Sequence, residues 1–192
     1  MNVYDFDNTI YKGDSSVDFY FYSLRKKPSI ICDFPFITAI KFVFGKEEKQ
    51  VWKEKFFSFV SNFDNIDKHI NDFWDKKIKN IKDFYYEIQR EDDVIISASP
   101  EFLIRPICER LNIKYVMASP VDKYTGKYHG KNCWGEEKVI RFREFFPDEK
   151  IENFYSDSYS DTPLARLADK AYLVKGETLL PWEKWDSDLG KL

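Results

Sequence analysis

Between residues 17 and 90 this chain carries no turn-bounded β pattern, yet strand-like sequence frames it on both sides. That arrangement restricts the possible folds more than any other feature. The stretches "VDFYFYSL", "FPFITAIKFVF", "KQVWKEKFFSFV" and "IDKHINDFWDKKIKNIKDFYYEI" all place aromatic or aliphatic residues at helical spacings. Before them lie one short strand, "NVYDF", and a polar loop, "DNTIYKGDSS". From Asp92 onward, short apolar runs alternate with helical stretches. "DVIISAS" reads as a buried strand. Ser99, Pro100 and Glu101 then suit the N-cap, first position and first turn of a helix over "SPEFLIRPICERLN". "KYVMAS" is the next strand, "YTGKYHGKNC" a glycine-turned hairpin or flap, and "GEEKVIRFREFF" a helix. "IENFYSDS" is a strand entering a loop, "SDTPLARLAD" a helix and "AYLVKG" a last short strand. Strands alternating with helices imply βαβ units and a parallel sheet. The expected architecture is therefore α/β. A Rossmann-like parallel core is built from residues 1–14 and 91–192, and an all-helical unit, residues 15–90, is inserted after strand 1.

A chain of 192 residues is long enough for one domain with a real core, or one domain with a modest insertion. Hydrophobic residues at 43% and charged residues at 33% fit an ordinary soluble protein. A net charge of −3 argues against a polyanion binder, so no nucleic-acid partner is expected. The run "KKIKNIK" (Lys76–Lys82) reads as a solvated helix face. Cys32, Cys108 and Cys133 are far apart and show no CxxC spacing, which suits a reducing, cytoplasmic setting rather than a disulfide framework or a zinc site. No signal peptide is read at the N-terminus. The most apolar segment, Ser29–Gly45, is interrupted by Asp33, Pro35 and Lys41 and makes a poor membrane span. Burial in a core is preferred there over an amphipathic face lying on a membrane or a lipid-like substrate. The aromatic stripe of the helical stretch likewise reads as core.

Two carboxylates, Asp5 and Asp7, close the first strand. In an open parallel sheet, ligands bind at the carboxyl ends of the strands. "DVIIS" ends in Ser97, and "IENFYSD" ends in Asp157 with Asp161 four residues on. Lys138 opens the helix after the flap. Four acids cannot share a pocket uncompensated, because like charges raise one another's pKa. A divalent cation resolves the conflict, and all-oxygen ligands favour Mg²⁺. With a metal and a lysine present, the pocket can hold a phosphate. A carboxylate can then attack phosphorus while its neighbour moves the proton.

These segments resemble the four motifs of the haloacid dehalogenase (HAD) superfamily. "DFDNT" resembles motif I, D-x-D-x-T, and "VIISAS" resembles motif II, an apolar strand ending in Ser or Thr. Lys138 in "NCWGEEKV" resembles motif III, and "SDSYSD" resembles motif IV. The likeness covers nearly the whole chain, and the helical insertion is similar to the C1 cap of the phosphoserine-phosphatase-like branch (subfamily IB). It implies an Mg²⁺-dependent phosphatase acting on a small phosphorylated substrate. Asp5 would be nucleophile and metal ligand. Asp7 would be general acid/base, with its carbonyl on the metal. Asp157 would bind the metal directly, and Asp161 directly or through a second layer. Ser97, with Ala98 beside it, and Lys138 would hold the phosphoryl oxygens, and Thr9 would orient the site.

Two positions depart from the family pattern, and one expected residue type is missing. Asn8 stands where Gly is common, and Asn tolerates the left-handed backbone. Ser156 stands where motif IV often has Gly. Asp14 matches an acid that binds the substrate amine in phosphoserine phosphatases, but no arginine lies between Arg25 and Arg90 to take a carboxylate. Lys46, Lys49 or Lys53 could stand in, without the bidentate fork. A bulkier or more apolar phosphomonoester, such as a lipid or nucleotide-alcohol headgroup, is favoured over phosphoserine. His69 and His129 read as non-catalytic. Trp134, Tyr124 and Tyr128 read as packing or as flap contacts to substrate. A phosphotransferase with an alcohol acceptor is the alternative enzyme, and a non-catalytic binding module ranks below it. Contact between the aromatic cap and a membrane is the less favoured partner reading.

Overall fold

The computed structural model describes residues 1–32 and 49–182, with the side chains of 1–31 and 52–182. Six strands form one sheet: β1 (Asn2–Tyr4), β2 (Val94–Pro100), β3 (Tyr115–Ser119), β4 (Ile151–Ser156), β5 (Ala168–Lys175) and β6 (Thr178–Pro181). Their order is β3-β2-β1-β4-β5-β6, parallel throughout except for β6, which runs antiparallel to β5. Seven α-helices are described: α1 (Ser15–Lys26), α2 (Lys49–Phe57), α3 (Ile66–Lys77), α4 (Asp83–Ile88), α5 (Glu101–Arg110), α6 (Glu136–Phe145) and α7 (Thr162–Ala165).

β1 is only three residues long, but it is paired on both sides. Val3 lies beside Val94 and Phe154, and Tyr4 beside Ile95 and Tyr155. Successive residues of a strand face opposite ways, so this register builds two cores. Val3, Val94, Ile96 and Phe154 meet Phe142 of α6 and Leu164 of α7 on one face. Tyr4, Ile95 and Tyr155 join the aromatic helices and α5 on the other. Tyr4 stacks on Tyr155 at 4.6 Å and meets Tyr85 of α4 edge-on at 5.1 Å. A parallel sheet needs both faces covered, and its continuous apolar strands reflect that.

The helices start where side chains can cap them. The Asp14 carboxylate accepts the N–H of Val17 at 2.9 Å, and the Asn65 side chain accepts that of Lys68 at 3.0 Å. α3 buries Ile66, His69, Ile70, Phe73 and Trp74, a stripe at helical spacing. Trp74 is fully buried against Phe6 and Tyr11, and its indole N–H donates to the Leu103 carbonyl of α5 at 2.7 Å.

Several sequence expectations are corrected. The helical run read over residues 66–88 is broken after Lys77, because residues 80–82 pair with 10–12 instead. Lys12 N–H donates to Asn80 O, and Lys82 N–H to Ile10 O, each at 2.8 Å. Lys82 is therefore no solvated helix lysine. It is 5% exposed, and its ammonium donates to the Asn8 carbonyl. Ser99 is not an N-cap: β2 runs on through Pro100, which caps α5 with no side-chain bond. The flap at 120–130 holds a single bridge, Val121 to Tyr128, rather than a hairpin. The helix read over "SDTPLARLAD" shrinks to a 3₁₀ turn and the four residues of α7. A sixth strand, β6, follows the one read as last.

Cys108 and Cys133 are buried and free. No helix among the described residues is long and apolar enough to cross a membrane. Most of the apolar segment 29–45 lies outside the described residues, as does Lys46.

Candidate active site

The order of the strands reverses at β1, so the crevice above the carboxyl ends of β1 and β4 is the natural site for a ligand. Asp5 leaves β1 there, its N–H bonded to Tyr155 O of β4 at 2.9 Å. Its carboxylate is 2.7 Å from the Lys138 ammonium through Oδ1 and accepts the Thr9 hydroxyl through Oδ2 at 3.3 Å. Lys138 is 2% exposed and reaches a second acid, Asp161 Oδ2, also at 2.7 Å. Ser156, at the motif IV position where the family often has Gly, donates to that same Oδ2 at 2.8 Å. The extra hydroxyl therefore has a place in the site.

The backbone turns sharply just after the second motif I acid. Asn8 has a φ of 55°, in the left-handed region that Asn enters more easily than most residues. Its N–H donates to Gly13 O at 2.9 Å, and its carbonyl accepts Lys82. The turn swings Asp7 towards α1 and β2. Asp7 Oδ1 accepts the Ser15 N–H at 2.7 Å, and Oδ2 accepts the Ser99 hydroxyl. Thr9 completes the loop by accepting the Asp157 N–H at 2.9 Å, which joins motif I to motif IV.

The acids and Lys138 line a cleft of about 250 Å³. Asp5, Asp7, Asp157, Asp161, Ser97, Ala98 and Lys138 form its polar end. Asp14 lies on the rim, with one carboxylate oxygen capping α1. Of the predicted residues only Thr9 is outside the lining; it acts beneath the floor, through Asp5 and Asp157. The opposite wall is Val17, Trp52, Phe56, Phe57 and Trp134. Lys53 is set in that wall, donating to Ala98 O at 3.1 Å and to Asn132 Oδ1 at 2.9 Å. Tyr124 and Tyr128 do not line the cleft. His69 lies elsewhere, stacked on Phe63 at 3.9 Å, and His129 sits on the surface near Asp122. Sequence reasoning passed over Ser15, Ser16, Asn132 and Lys82. Ser16, Asn132 and Lys82 are common polar residues that depend on partners far along the chain, and Ser15 serves Asp7 through its backbone N–H, so no local pattern marks them.

The polar end is short of positive charge. Burial pushes the Asp5 carboxyl above the ordinary aspartate range; Lys138 opposes this, while Asp161 and Asp7 add to it. Burial, then the charge of Asp14, does the same to Asp7, against the hydrogen bonds from Ser99 and Ser15. Asp157 also moves up, through burial and the charge of Asp161. Burial alone would lower Lys138, but Asp5 and Asp161 outweigh it and hold the ammonium above its usual value. Among the described residues no three acids, histidines or cysteines stand grouped as a ready metal cluster, since the Lys138 ammonium sits between Asp5 and Asp161. The donors nonetheless suit a hard divalent cation. They are all oxygen, they carry surplus negative charge, and Asp161 Oδ1 is buried with no hydrogen-bond partner among the described residues.

Comparison with known proteins agrees with this geometry. The chain is 27% identical over 110 residues to the histidinol-phosphatase of Neisseria meningitidis, a match covering 51% of this chain and 50% of that one. It thus spans about half the length of that relative. A Bordetella pertussis protein described as of unknown function superposes with a TM-score of 0.77 at 17% identity, over 90% of this chain and 88% of its own. A phosphoserine phosphohydrolase-like protein of Francisella tularensis does so at 0.59 and 18%, over 92% and 88%. Both share the fold. The pattern of the haloacid dehalogenase-like hydrolases matches residues 3–166, which include all four motifs, and the chain belongs to that family.

Proposed function

We propose that the protein is an Mg²⁺-dependent phosphomonoester phosphatase that works through an aspartyl-phosphate on Asp5. The observation that carries this reading is the setting of Asp5. It lies on the cleft floor, held between the Lys138 ammonium and the Thr9 hydroxyl, with a second, half-buried acid, Asp7, two residues on.

Lys138 and Ser97 would take the phosphoryl oxygens, and the buried ammonium would offset their charge where burial strengthens the attraction. An Asp5 carboxylate oxygen attacks phosphorus, and the bond to the alcohol oxygen breaks with its electron pair. Asp7 gives that oxygen a proton. A water then attacks the same phosphorus, Asp7 takes a proton from it, and the bond from Asp5 to phosphorus breaks to release phosphate. Mg²⁺ is the cofactor that phosphatases of this family generally use; when bound it would neutralise phosphoryl charge and keep Asp5 ionised. Asp5, Asp157 and the Asp7 carbonyl would hold it. Asp161 would serve it directly or from a second layer through Oδ1, which is buried and has no hydrogen-bond partner among the described residues, while its Oδ2 positions Lys138.

The substrate is a small phosphomonoester whose alcohol carries an apolar or aromatic group. Trp52, Phe56, Phe57 and Trp134 give that group a wall, and about 250 Å³ limits its size. A ring-bearing alkyl phosphate, such as the one in the name of the Neisseria relative, suits that wall. No arginine lines the cleft among the described residues, which disfavours phosphoserine. Lys53 uses two of its three donors on Ala98 and Asn132 and can offer the third to a polar atom of the alcohol. Residues 15–90 would serve as the cap that supplies this wall apart from Trp134. The free, buried cysteines suit a reducing, cytoplasmic setting.

Asp5→Asn keeps the shape of the nucleophile and removes its charge. Hydrolysis of 4-nitrophenyl phosphate in Mg²⁺ is expected to fall by at least about 10³-fold. Retained turnover would show that another group attacks phosphorus.

A further inference from the structure

Ser99 was expected to cap a helix, and it does not. Its hydroxyl is turned into the cleft, where it meets Asp7 Oδ2. A hydroxyl has one proton to donate. With that proton on Asp7, the oxygen of Ser99 is left as an acceptor, and the Ser16 hydroxyl lies 3.0 Å away to fill it. The Ser99 N–H is itself fixed, donating to Ser97 Oγ at 3.1 Å. All three serines at 15, 16 and 99 are buried.

Both oxygens of Asp7 are therefore engaged, by donors of different kinds. The Ser15 N–H on Oδ1 can only donate. The Ser99 hydroxyl on Oδ2 can donate to a carboxylate or accept from a carboxylic acid, handing its own proton to Ser16 in the second case. Oδ1 stays an acceptor throughout, and Oδ2 is left as the oxygen able to carry a proton.

We propose that Ser99 is a positioning residue for phosphoryl transfer: its hydroxyl holds Asp7 Oδ2 towards the leaving oxygen and stays bonded to Asp7 before and after the proton moves. This rests on the phosphatase reading above. In the step it serves, the bond from phosphorus to the alcohol oxygen breaks and its electron pair goes to that oxygen. That oxygen takes the proton that Asp7 Oδ2 had shared with Ser99, and the Ser99 hydroxyl turns from Ser16 to donate to Asp7, now a carboxylate.

The test compares two esters. The leaving group of 4-nitrophenyl phosphate is stable as an anion and needs little protonation, whereas that of 2-phenylethyl phosphate needs a proton. The ratio kcat/KM reports only steps up to release of the alcohol, so it isolates the acid step from the later attack by water. For Ser99→Ala, kcat/KM on the alkyl ester is expected to fall about 10- to 100-fold, and on the aryl ester less than about threefold, with kcat rather than KM moving on the alkyl ester. Ser99→Thr keeps a hydroxyl and should restore the alkyl activity. If Ser99→Ala fails to fold, Ser99→Cys, close in size but a weak donor, takes its place with the same contrast expected. Equal losses on both esters, or no loss on either, would overturn the role given to Ser99. Asp7→Asn separates this from the parent reading. If kcat/KM of that variant falls equally on both esters, or the unaltered protein hydrolyses neither, Asp7 is not the acid and the parent reading is the one that fails.

Discussion

At the scale of single residues, the chain uses buried polar groups that look alike in sequence for different ends. His69 is the clearest outside the cleft. It is 9% exposed, bonded to the Ser23 hydroxyl at 2.8 Å and packed among Phe19, Tyr22 and Phe63. Burial pulls its pKa from 6.5 down to about 4; Asp72 opposes this, while Lys26 and Lys68 add to it. Between those values the unfolded chain binds a proton that the folded one does not, so the stability contributed by neutral His69 is complete above 6.5 and is lost as the pH falls towards 4. The loss is on the order of 1–3 kcal/mol. Asp5, Asp7 and Asp93, whose carboxyls are pushed up, titrate with the opposite sign in an overlapping window, so the informative quantity is a difference. In urea titrations the stability of the wild type relative to His69→Gln should fall as the pH is lowered through this range. Parallel curves would show that His69 does not titrate in this way. Which single residues could be read from sequence follows from how local their task is. Asp5, Asp7 and Asn8 lie within four residues, so their spacing is itself a pattern, and the left-handed turn suits Asn by its own chemistry. Lys82 and Ser99 act on atoms more than 70 positions away, and nothing beside them in the sequence says so.

At the scale of elements, the helical stretch is tied to the sheet domain by a few large side chains. Trp74 is the main one. Its ring fills the space between Phe6 and Tyr11, and its N–H satisfies the Leu103 carbonyl. Trp74→Phe keeps most of the ring but leaves that buried carbonyl without its donor, at an expected cost of about 1–3 kcal/mol in chemical denaturation. Trp74→Ala also opens a cavity, at about 3–5 kcal/mol. A smaller loss for the alanine than for the phenylalanine would show that packing is not what Trp74 supplies. Long helices and continuous apolar strands were legible because their periodicity holds over about three turns or runs unbroken. α7, the bridge at Val121 and the break after Lys77 were not. The break is set by a hydrogen bond to a distant segment, Lys12 to Asn80, while α7 and the bridge are too short for any period to show, held by bonds as local as Thr162 to Tyr159 and Val121 to Ser119.

At the scale of the molecule, the sheet gathers acids from the ends of β1 and β4 around a single buried ammonium, and the folded state bears their repulsion. A cation bound there should therefore stabilise the fold apart from any turnover. At an Mg²⁺ concentration about 100 times its dissociation constant the gain is about 2.7 kcal/mol, seen as a rise in Tm. Asp157→Asn should shrink that rise, and a Tm indifferent to Mg²⁺ in the wild type would count against the metal site. The pairing of residues 10–12 with 80–82 has a consequence of a different kind. The chain leaves the sheet and comes back at points that are hydrogen-bonded to each other. A segment whose two ends already touch can lengthen or shorten with little added loop-closure entropy. Beyond the first turn of α1, where Ser15 and Ser16 serve Asp7, evolution is free to exchange the helices for others. New substrates could be acquired by replacing one wall of the cleft while the chemistry on the other stays as it is.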